Sequence, residues 1–247
     1  MIYFISDVHL GFKPKNENKE LEDMLILFLD KIKADAEKLF IVGDLFDYWF
    51  DYKTVIPKDF VRTLAKLLEL KHEGIEIAYL IGNHDFGHYT FFSEELDIKI
   101  YHNDIQVNLN NKKFYLSHGD GKGYNDTGYK ILKKILRSKL NQKIYRLLHP
   151  DFGIWLASGS SRKSRHYTDK KNYGETDGQK DFAFKTIDNG FDFVVMGHSH
   201  KLELTQHNTG FYVNLGDWIK VPYFARFDGK ELILIKVQDF LINNAKI

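Results

Sequence analysis

The sequence predicts an α/β protein. Two observations carry that expectation. Short apolar runs suited to buried strands alternate with stretches of helical spacing. Most of five motifs rich in Asp, His and Asn stand directly behind such a run. Since α/β sheets gather their ligands outside the carboxyl ends of strands, fold class and candidate site are marked together.

The elements follow in chain order. Ile2-Tyr3-Phe4-Ile5 is a strand that delivers Asp7-Val8-His9. Residues 20 to 33 place Leu21, Met24, Leu25, Phe28, Leu29 and Ile32 on one helical face. Leu39-Phe40-Ile41-Val42 precedes Gly43-Asp44-Leu45-Phe46-Asp47, and Pro57 opens a second helix with a face of Phe60, Val61, Leu64, Leu67 and Leu68. Ile77-Ala78-Tyr79-Leu80-Ile81 leads into Gly82-Asn83-His84-Asp85, and Phe114-Tyr115-Leu116 into Ser117-His118-Gly119-Asp120. Phe193-Val194-Val195-Met196 comes before Gly197-His198-Ser199-His200. The short strands beyond it, Phe211-Tyr212-Val213-Asn214 and Leu232-Ile233-Leu234-Ile235, are expected to complete a second sheet.

Composition bounds the rest. A chain of 247 residues suits one large α/β domain over 1–247. The absence of cysteine excludes disulfides and thiolate metal sites. Lys plus Arg number 35 and Asp plus Glu 34, a net charge of +1, so bulk charge favours no partner and nucleic acid is not expected. The first residues run straight into a strand and no apolar run approaches a membrane span, so a cytoplasmic location is expected.

Seven side chains in the motifs, Asp7, His9, Asp44, Asn83, His118, His198 and His200, offer only oxygen and imidazole nitrogen. That donor set suits Mn²⁺, Fe²⁺ or Zn²⁺. Any one motif alone reads as a helix cap or turn; five at strand ends supply ligands for two ions. If the ions lie ~3.5–4 Å apart, one carboxylate bridges them, and Asp44 stands between the two groups. His84, beside Asn83, is the candidate to hydrogen-bond or protonate the transferred group, oriented by Asp47 or Asp85.

The motif order resembles the calcineurin-like metallophosphoesterases from Asp7 to His200. The resemblance implies a sandwich of two β-sheets flanked by helices. It implies one divalent ion on Asp7, His9, Asp44 and His200 and another on Asp44, Asn83, His118 and His198, with Mn²⁺ the expected metal. Within that superfamily, Gly43 to Trp49, Gly82 to Phe86, His118 to Gly121, Leu148 to Ile154, Ser161 to Arg165 and Asn214 to Ile219 resemble the UDP-2,3-diacylglucosamine diphosphatases of lipid A synthesis. Those enzymes split the pyrophosphate of a lipid-linked nucleotide into UMP and a diacylglucosamine 1-phosphate. Many of them carry Arg where this chain has His84. The resemblance implies substrate contacts from Asn83, His84 and His198, and Asp126 matches a substrate-binding acid by its spacing from His118.

Between His118 and His198 lie far more residues than a connection needs. Within 129–171 stand twelve Lys and Arg against two acids, interleaved with aliphatic residues such as Ile131, Leu132, Ile135 and Leu136. We read 122–172 as a helical cap inserted into the domain. A solvated basic face over a core stripe and a nucleic-acid groove are alternative readings of it. With the resemblance beside it, apolar area next to basic charge is read as a site for an acylated, anionic substrate at the inner face of a membrane to which the protein is peripherally bound. Arg162 and Arg165 are candidates for phosphate contact. Two alternatives differ in class: the same centre acting on a cyclic nucleotide, phosphoprotein or nucleic acid, and a non-catalytic metal-binding scaffold, which would be expected to have lost ligands.

Overall fold

A computed structural model of the chain describes residues 1–124, 133–135, 138–155 and 178–242. It contains two mixed sheets packed face to face. The first has the strand order β11-β10-β1-β2-β3-β4, from Leu232–Lys236 (β11), Tyr223–Phe227 (β10), Ile2–Ile5 (β1), Lys38–Val42 (β2), Glu76–Leu80 (β3) and Lys99–Tyr101 (β4). The second has the order β5-β6-β7-β9-β8, from Ile105–Leu109 (β5), Lys112–Leu116 (β6), Phe193–Met196 (β7), Gly210–Leu215 (β9) and Leu202–His207 (β8).

Residue alternation explains the layers. In β1, β2 and β3 the side chains of Tyr3, Ile5, Leu39, Ile41, Ile77 and Tyr79 face helices α1 (Lys15–Ile32) and α2 (Val61–His72). Their neighbours Ile2, Phe4, Phe40, Val42, Ala78 and Leu80 face the second sheet. Strands buried on both faces read as continuous apolar runs, which made them visible in the sequence. Phe4 stacks on Phe40 at 5.1 Å and reaches Phe114 of the other sheet at 5.8 Å. A third cluster, including Ala183, Ile187, Val194, Met196 and Tyr212, seats helix α5 (Gly178–Asp188) on the outer face of the second sheet; the short α3 (Phe91–Glu94) and α4 (Lys139–Tyr145) precede it in the chain.

Three expectations change. Val61 is exposed at the start of α2, and Thr63 and Leu70 are buried on its inner face with Leu64 and Leu67; the preceding 3₁₀ turn, Lys58–Phe60, shifts the phase of the helix. Leu232–Lys236 does not extend the second sheet. It pairs antiparallel with β10, which is itself held on β1 through Ile2 and Phe227, so both strands close the first sheet. Strands β4, β5, β8 and β10 were not foreseen: β8, for one, is an edge strand whose Leu202 and Leu204 are exposed, leaving no inward apolar stripe to read.

Candidate metal centre

Every motif falls where a strand ends. Asp7 and His9 follow β1, Asp44 follows β2, Asn83 and His84 follow β3, His118 follows β6, and His198 and His200 follow β7. The two sheets bring these ends to one edge. Asp7, His9, Asp44 and His118 are buried, whereas His84 and His200 are partly open.

Backbone conformation is part of how they converge. Asp7, His9, Asp44, His198 and His200 all have φ between 52° and 68°, the left-handed region that non-glycine residues avoid. Each such residue costs about 1–3 kcal/mol, which the surrounding structure must offset. The other non-glycine residues of this kind among the described ones, Asp97, Asn110, Asn111 and Asn208, are Asp or Asn, residue types that tolerate it. Hydrogen bonds lock the strained loops together: Asp7 N–H donates to Gly43 O at 3.1 Å and His9 N–H to Asp44 O at 3.0 Å. Gly82 and Gly197 make room; a Cβ on Gly82 would stand 1.9 Å from Asp44 Oδ1, and one on Gly197 2.2 Å from Asp7 Oδ2.

The donors form two groups around Asp44. In the first, Asp7 Oδ1 lies 3.5 Å from His9 Nε2 and 3.3 Å from His200 Nε2, and the two imidazole nitrogens are 3.3 Å apart. Asp44 Oδ2 is 3.8 Å from His9 Nε2. In the second, the same Asp44 Oδ2 is 3.2 Å from His118 Nε2, and Asn83 Oδ1 is 3.0 Å from His118 Nε2 and 2.7 Å from His198 Nδ1. Ligand bonds of ~2.0–2.2 Å place neighbouring donors about 3.0–3.5 Å apart; five of these seven separations fall in that range, so each group has the size for one divalent ion. One oxygen, Asp44 Oδ2, faces both.

Proton bookkeeping agrees with that fit. Asp7 Oδ2 accepts from Ser6 Oγ at 2.5 Å and from His198 N–H at 2.9 Å, whereas Asp7 Oδ1 is buried with no hydrogen-bond partner among the described residues. A buried carboxylate oxygen left in that state calls for a cation. Asp44 Oδ1 accepts the His84 N–H at 2.9 Å, which turns Oδ2 toward the ligand groups. His118 Nδ1 sits 2.9 Å from Val42 O; donating there leaves the Nε2 lone pair for a metal.

Electrostatics keep the carboxylates charged. Burial opposes ionisation of Asp44, but His118, His84 and His9 outweigh it and hold the carboxyl well below its usual range. Burial likewise opposes ionisation of Asp7, and His200 and His9 hold it low. His118 shows the reciprocal effect: burial pushes it down, yet Asp44 and Asp7 bring it up to about 10. Positive charge is therefore favoured between His118 and Asp44, a place that a divalent ion would fill in place of a proton.

Asp47, rather than Asp85, faces His84. Asp47 Oδ1 is 3.5 Å from His84 Nδ1 and 3.6 Å from His9 Nδ1, so one carboxylate orients a ligand and its neighbour. Asp85 is turned inward, accepting from Gly82 N–H at 2.7 Å, Leu45 N–H at 2.9 Å and the Tyr79 hydroxyl. Burial and the nearby Asp44 raise it to about 6, and its three inward hydrogen bonds make it a scaffold group. Two groups went unassigned in the sequence. Asn214 donates to Gly197 O at 3.0 Å and Ser199 Oγ at 2.9 Å, and Asp217 Oδ2 is 4.0 Å from His200 Nδ1; both support the His198–His200 turn. Their signal was the Asn214-Leu215-Gly216-Asp217 stretch behind β9.

The cap is described in part. Helix α4 (Lys139–Tyr145) and a helical turn over 150–155 stand on an aromatic ledge of Tyr48, Phe50 and Tyr52, where Tyr145 and Ile154 pack. Arg146 lies over the Tyr89 ring at 3.7 Å and donates to Asp51 O at 3.3 Å. Ile135, Leu140, Ile144, Leu147, Phe152 and Trp155 are exposed. Asp126, Ile131, Leu132, Leu136, Arg162 and Arg165 lie outside the described residues. No helix among the described residues is long and apolar enough to cross a membrane.

Comparison with known proteins bears on the same site. The model of the calcineurin-like phosphoesterase family matches residues 1–202. The chain is 33% identical to the UDP-2,3-diacylglucosamine hydrolase of Porphyromonas gingivalis, over 96% of this chain and 98% of that protein. It is 28% identical to the protein of that name from Haemophilus influenzae, over 88% of this chain and 90% of the other. A third, from Neisseria meningitidis, is 28% identical over 96% and 98%.

Proposed function

The chain belongs to the calcineurin-like phosphoesterase family, and from that premise we propose that it hydrolyses the pyrophosphate bond of UDP-2,3-diacylglucosamine, giving UMP and 2,3-diacylglucosamine 1-phosphate. The observation that carries this reading is the pair of donor groups sharing Asp44 Oδ2, in a chain whose relatives of that name align along nearly its whole length. Asp7, His9, Asp44 and His200 would hold one ion and Asp44, Asn83, His118 and His198 the other. Two bound divalent ions, with Mn²⁺ our choice for this oxygen and imidazole set, supply Lewis acidity and offset charge at the reacting phosphoryl group.

The chain's own residues do the rest. Water oxygen bonds to one phosphorus while the bridging P–O bond breaks, and the bridging oxygen leaves with the other phosphate. His84, its Nδ1 turned to Asp47, stabilises the charge that grows on the phosphoryl oxygens. A phosphate leaving group is already stable, so positive charge matters more here than proton donation; that accounts for Arg at this position in relatives. Asn83 and His198, at the mouth of the second donor group, contact the substrate phosphate, and Asp126, Arg162 and Arg165 are its proposed contacts from the cap.

The cap, bounded at 122–172 within a single domain over 1–247, covers the lipid half. Its exposed Leu140, Ile144, Leu147, Phe152 and Trp155 form apolar surface on segments that also carry Lys133, Lys134, Lys143 and Arg146. A patch of this kind suits acyl chains and an anionic bilayer face, so the protein works as a peripheral enzyme on the cytoplasmic side. The test is turnover by the Mn²⁺-loaded protein of UDP-diacylglucosamine beside soluble phosphodiesters, a cyclic nucleotide and a phosphopeptide, with UMP release measured by chromatography. Faster turnover of any soluble ester, with none of the UDP-lipid, would overturn the assignment.

A further inference from the structure

A cavity of about 220 Å³ opens beside His118, on the flank of the second donor group. Its walls include Ile81 behind β3, the His102-Asn103-Asp104 turn before β5, and Lys122 and Lys133. Its charges cancel. Lys122 Nζ is 2.6 Å from Asp104 Oδ2, and Lys133 Nζ is 2.5 Å from Asp120 Oδ2. A cavity whose cations are each met by a carboxylate has no surplus positive charge for a phosphate. Leu80 and Ile81 are its only apolar side chains among the described residues, too little wall there for an acyl chain. What fits is an uncharged polar fragment.

Two parts of the proposed substrate answer that description, the acylated sugar and the uridine. Position separates them. The sugar carries the acyl chains, and the aromatic ledge under the exposed apolar cap begins at Tyr48, next to Asp47 and the first donor group. The cavity adjoins His118, in the second, and among the described residues meets the cap only at Lys122 and Lys133, away from the Tyr145 and Ile154 stretch on the ledge. With the pyrophosphate across the metal centre, the fragment on the His118 side is the nucleoside.

Resting on the substrate reading above, we propose that this cavity holds the uridine, with Asn103 reading the edge of the base. Uracil presents an N–H donor flanked by two carbonyl acceptors, and a carboxamide offers the matching acceptor and donors. The Asn103 side chain is exposed at the cavity and has no hydrogen-bond partner among the described residues. His102 beside it supplies a ring for stacking on the pyrimidine.

The experiment is calorimetric titration of the full, Mn²⁺-loaded chain with UMP, glucosamine 1-phosphate and inorganic phosphate, for the wild type, Asn103→Ala and Asn103→Trp. Both variants change an exposed turn, and a cooperative melt checks that each folds. Asn103→Ala is expected to raise the Kd for UMP about tenfold, the loss of one hydrogen bond to the base. Asn103→Trp, which fills the mouth, is expected to raise it further, and inorganic phosphate is expected to bind all three alike. Unchanged UMP affinity in both variants overturns the proposal, as does weakened binding of glucosamine 1-phosphate with UMP unaffected. Turnover of the UDP-lipid by the wild type is scored separately: turnover with unchanged UMP affinity removes only the cavity assignment. UMP binding through Asn103 without UDP-lipid turnover removes the lipid reading and leaves a nucleotide site.

Discussion

Replacing Asp44 by Asn tests whether one carboxylate serves two ions. The side chain keeps its volume and an Oδ1 acceptor for the His84 N–H, 2.9 Å away. What disappears is the charge and the Oδ2 acceptor that stands 3.2 Å from His118 Nε2 and 3.8 Å from His9 Nε2. The second donor group is then wholly neutral, and the first retains only Asp7 as an anion. Groups that merely orient a metal ligand are worth about 10–100-fold in affinity, so loss of a direct ligand is expected to weaken each site by at least ~100-fold. If the wild type is held at ~1,000 times its dissociation constant, the metal contributes ~4.1 kcal/mol per site, and about 2.7 kcal/mol of that is lost. For a chain of this size 1 kcal/mol moves Tm by roughly 2–4 °C, so the metal-induced rise in Tm should shrink by about 5–11 °C per site. Subtracting the metal-free melt of each protein removes the change in the Asp44 and His118 pair itself. Mass-spectrometric metal analysis after desalting should show fewer than two equivalents, and turnover should be abolished. A variant retaining two tightly bound ions and the full metal-dependent rise in Tm would show that Asp44 is not shared.

Other outcomes follow from neighbouring features. His84→Ala should lower kcat by about 10²-fold or more, while His84→Arg restores part of it by supplying charge; an Arg variant as inactive as Ala would exclude charge stabilisation. Changing Ile135, Leu140 and Ile144 together to Gln should leave the melt nearly unchanged, because all three are exposed, yet collapse turnover of the diacylated substrate and spare a small phosphodiester. Equal loss or equal retention of both activities would argue against a lipid-binding cap. Burial opposes ionisation of Asp104, but Lys122, Ser117 and Tyr115 hold its carboxyl below the usual range. Its charge therefore stabilises the fold fully above the unfolded value near ~3.9, and that contribution is lost as pH falls through the lower folded value. Metal-free Asp104→Asn should melt below the wild type at pH 7 and converge with it toward pH 3; a constant gap would contradict the linkage.

What the sequence determined by itself was the set of groups and their order. β1, β2 and β3 are buried on both faces and so announced themselves as unbroken apolar runs, and the polar motif behind each run named its ligand. The helix of Leu21, Leu25, Phe28, Leu29 and Ile32 was legible for the same reason, one stripe against one sheet. Edge elements were not: β8 shows Leu202 and Leu204 to solvent, and Leu232–Lys236 has a pattern that suits either sheet. Only pairing of β10 with β1 decided where it went, because register is a relation between segments more than 200 residues apart. The tertiary structure also decided what each acid does. Asp47 and Asp85 look alike in sequence, each beside a motif ligand, yet one faces His84 and His9 while the other is turned onto Tyr79 and two backbone amides. Left-handed backbone at Asp7, His9, Asp44, His198 and His200 was equally invisible, since strain of that kind exists only where packing and cross-loop hydrogen bonds impose it. Composition fixes which donors a chain can offer; which oxygen faces which nitrogen follows from how two sheets bring their strand ends to one edge.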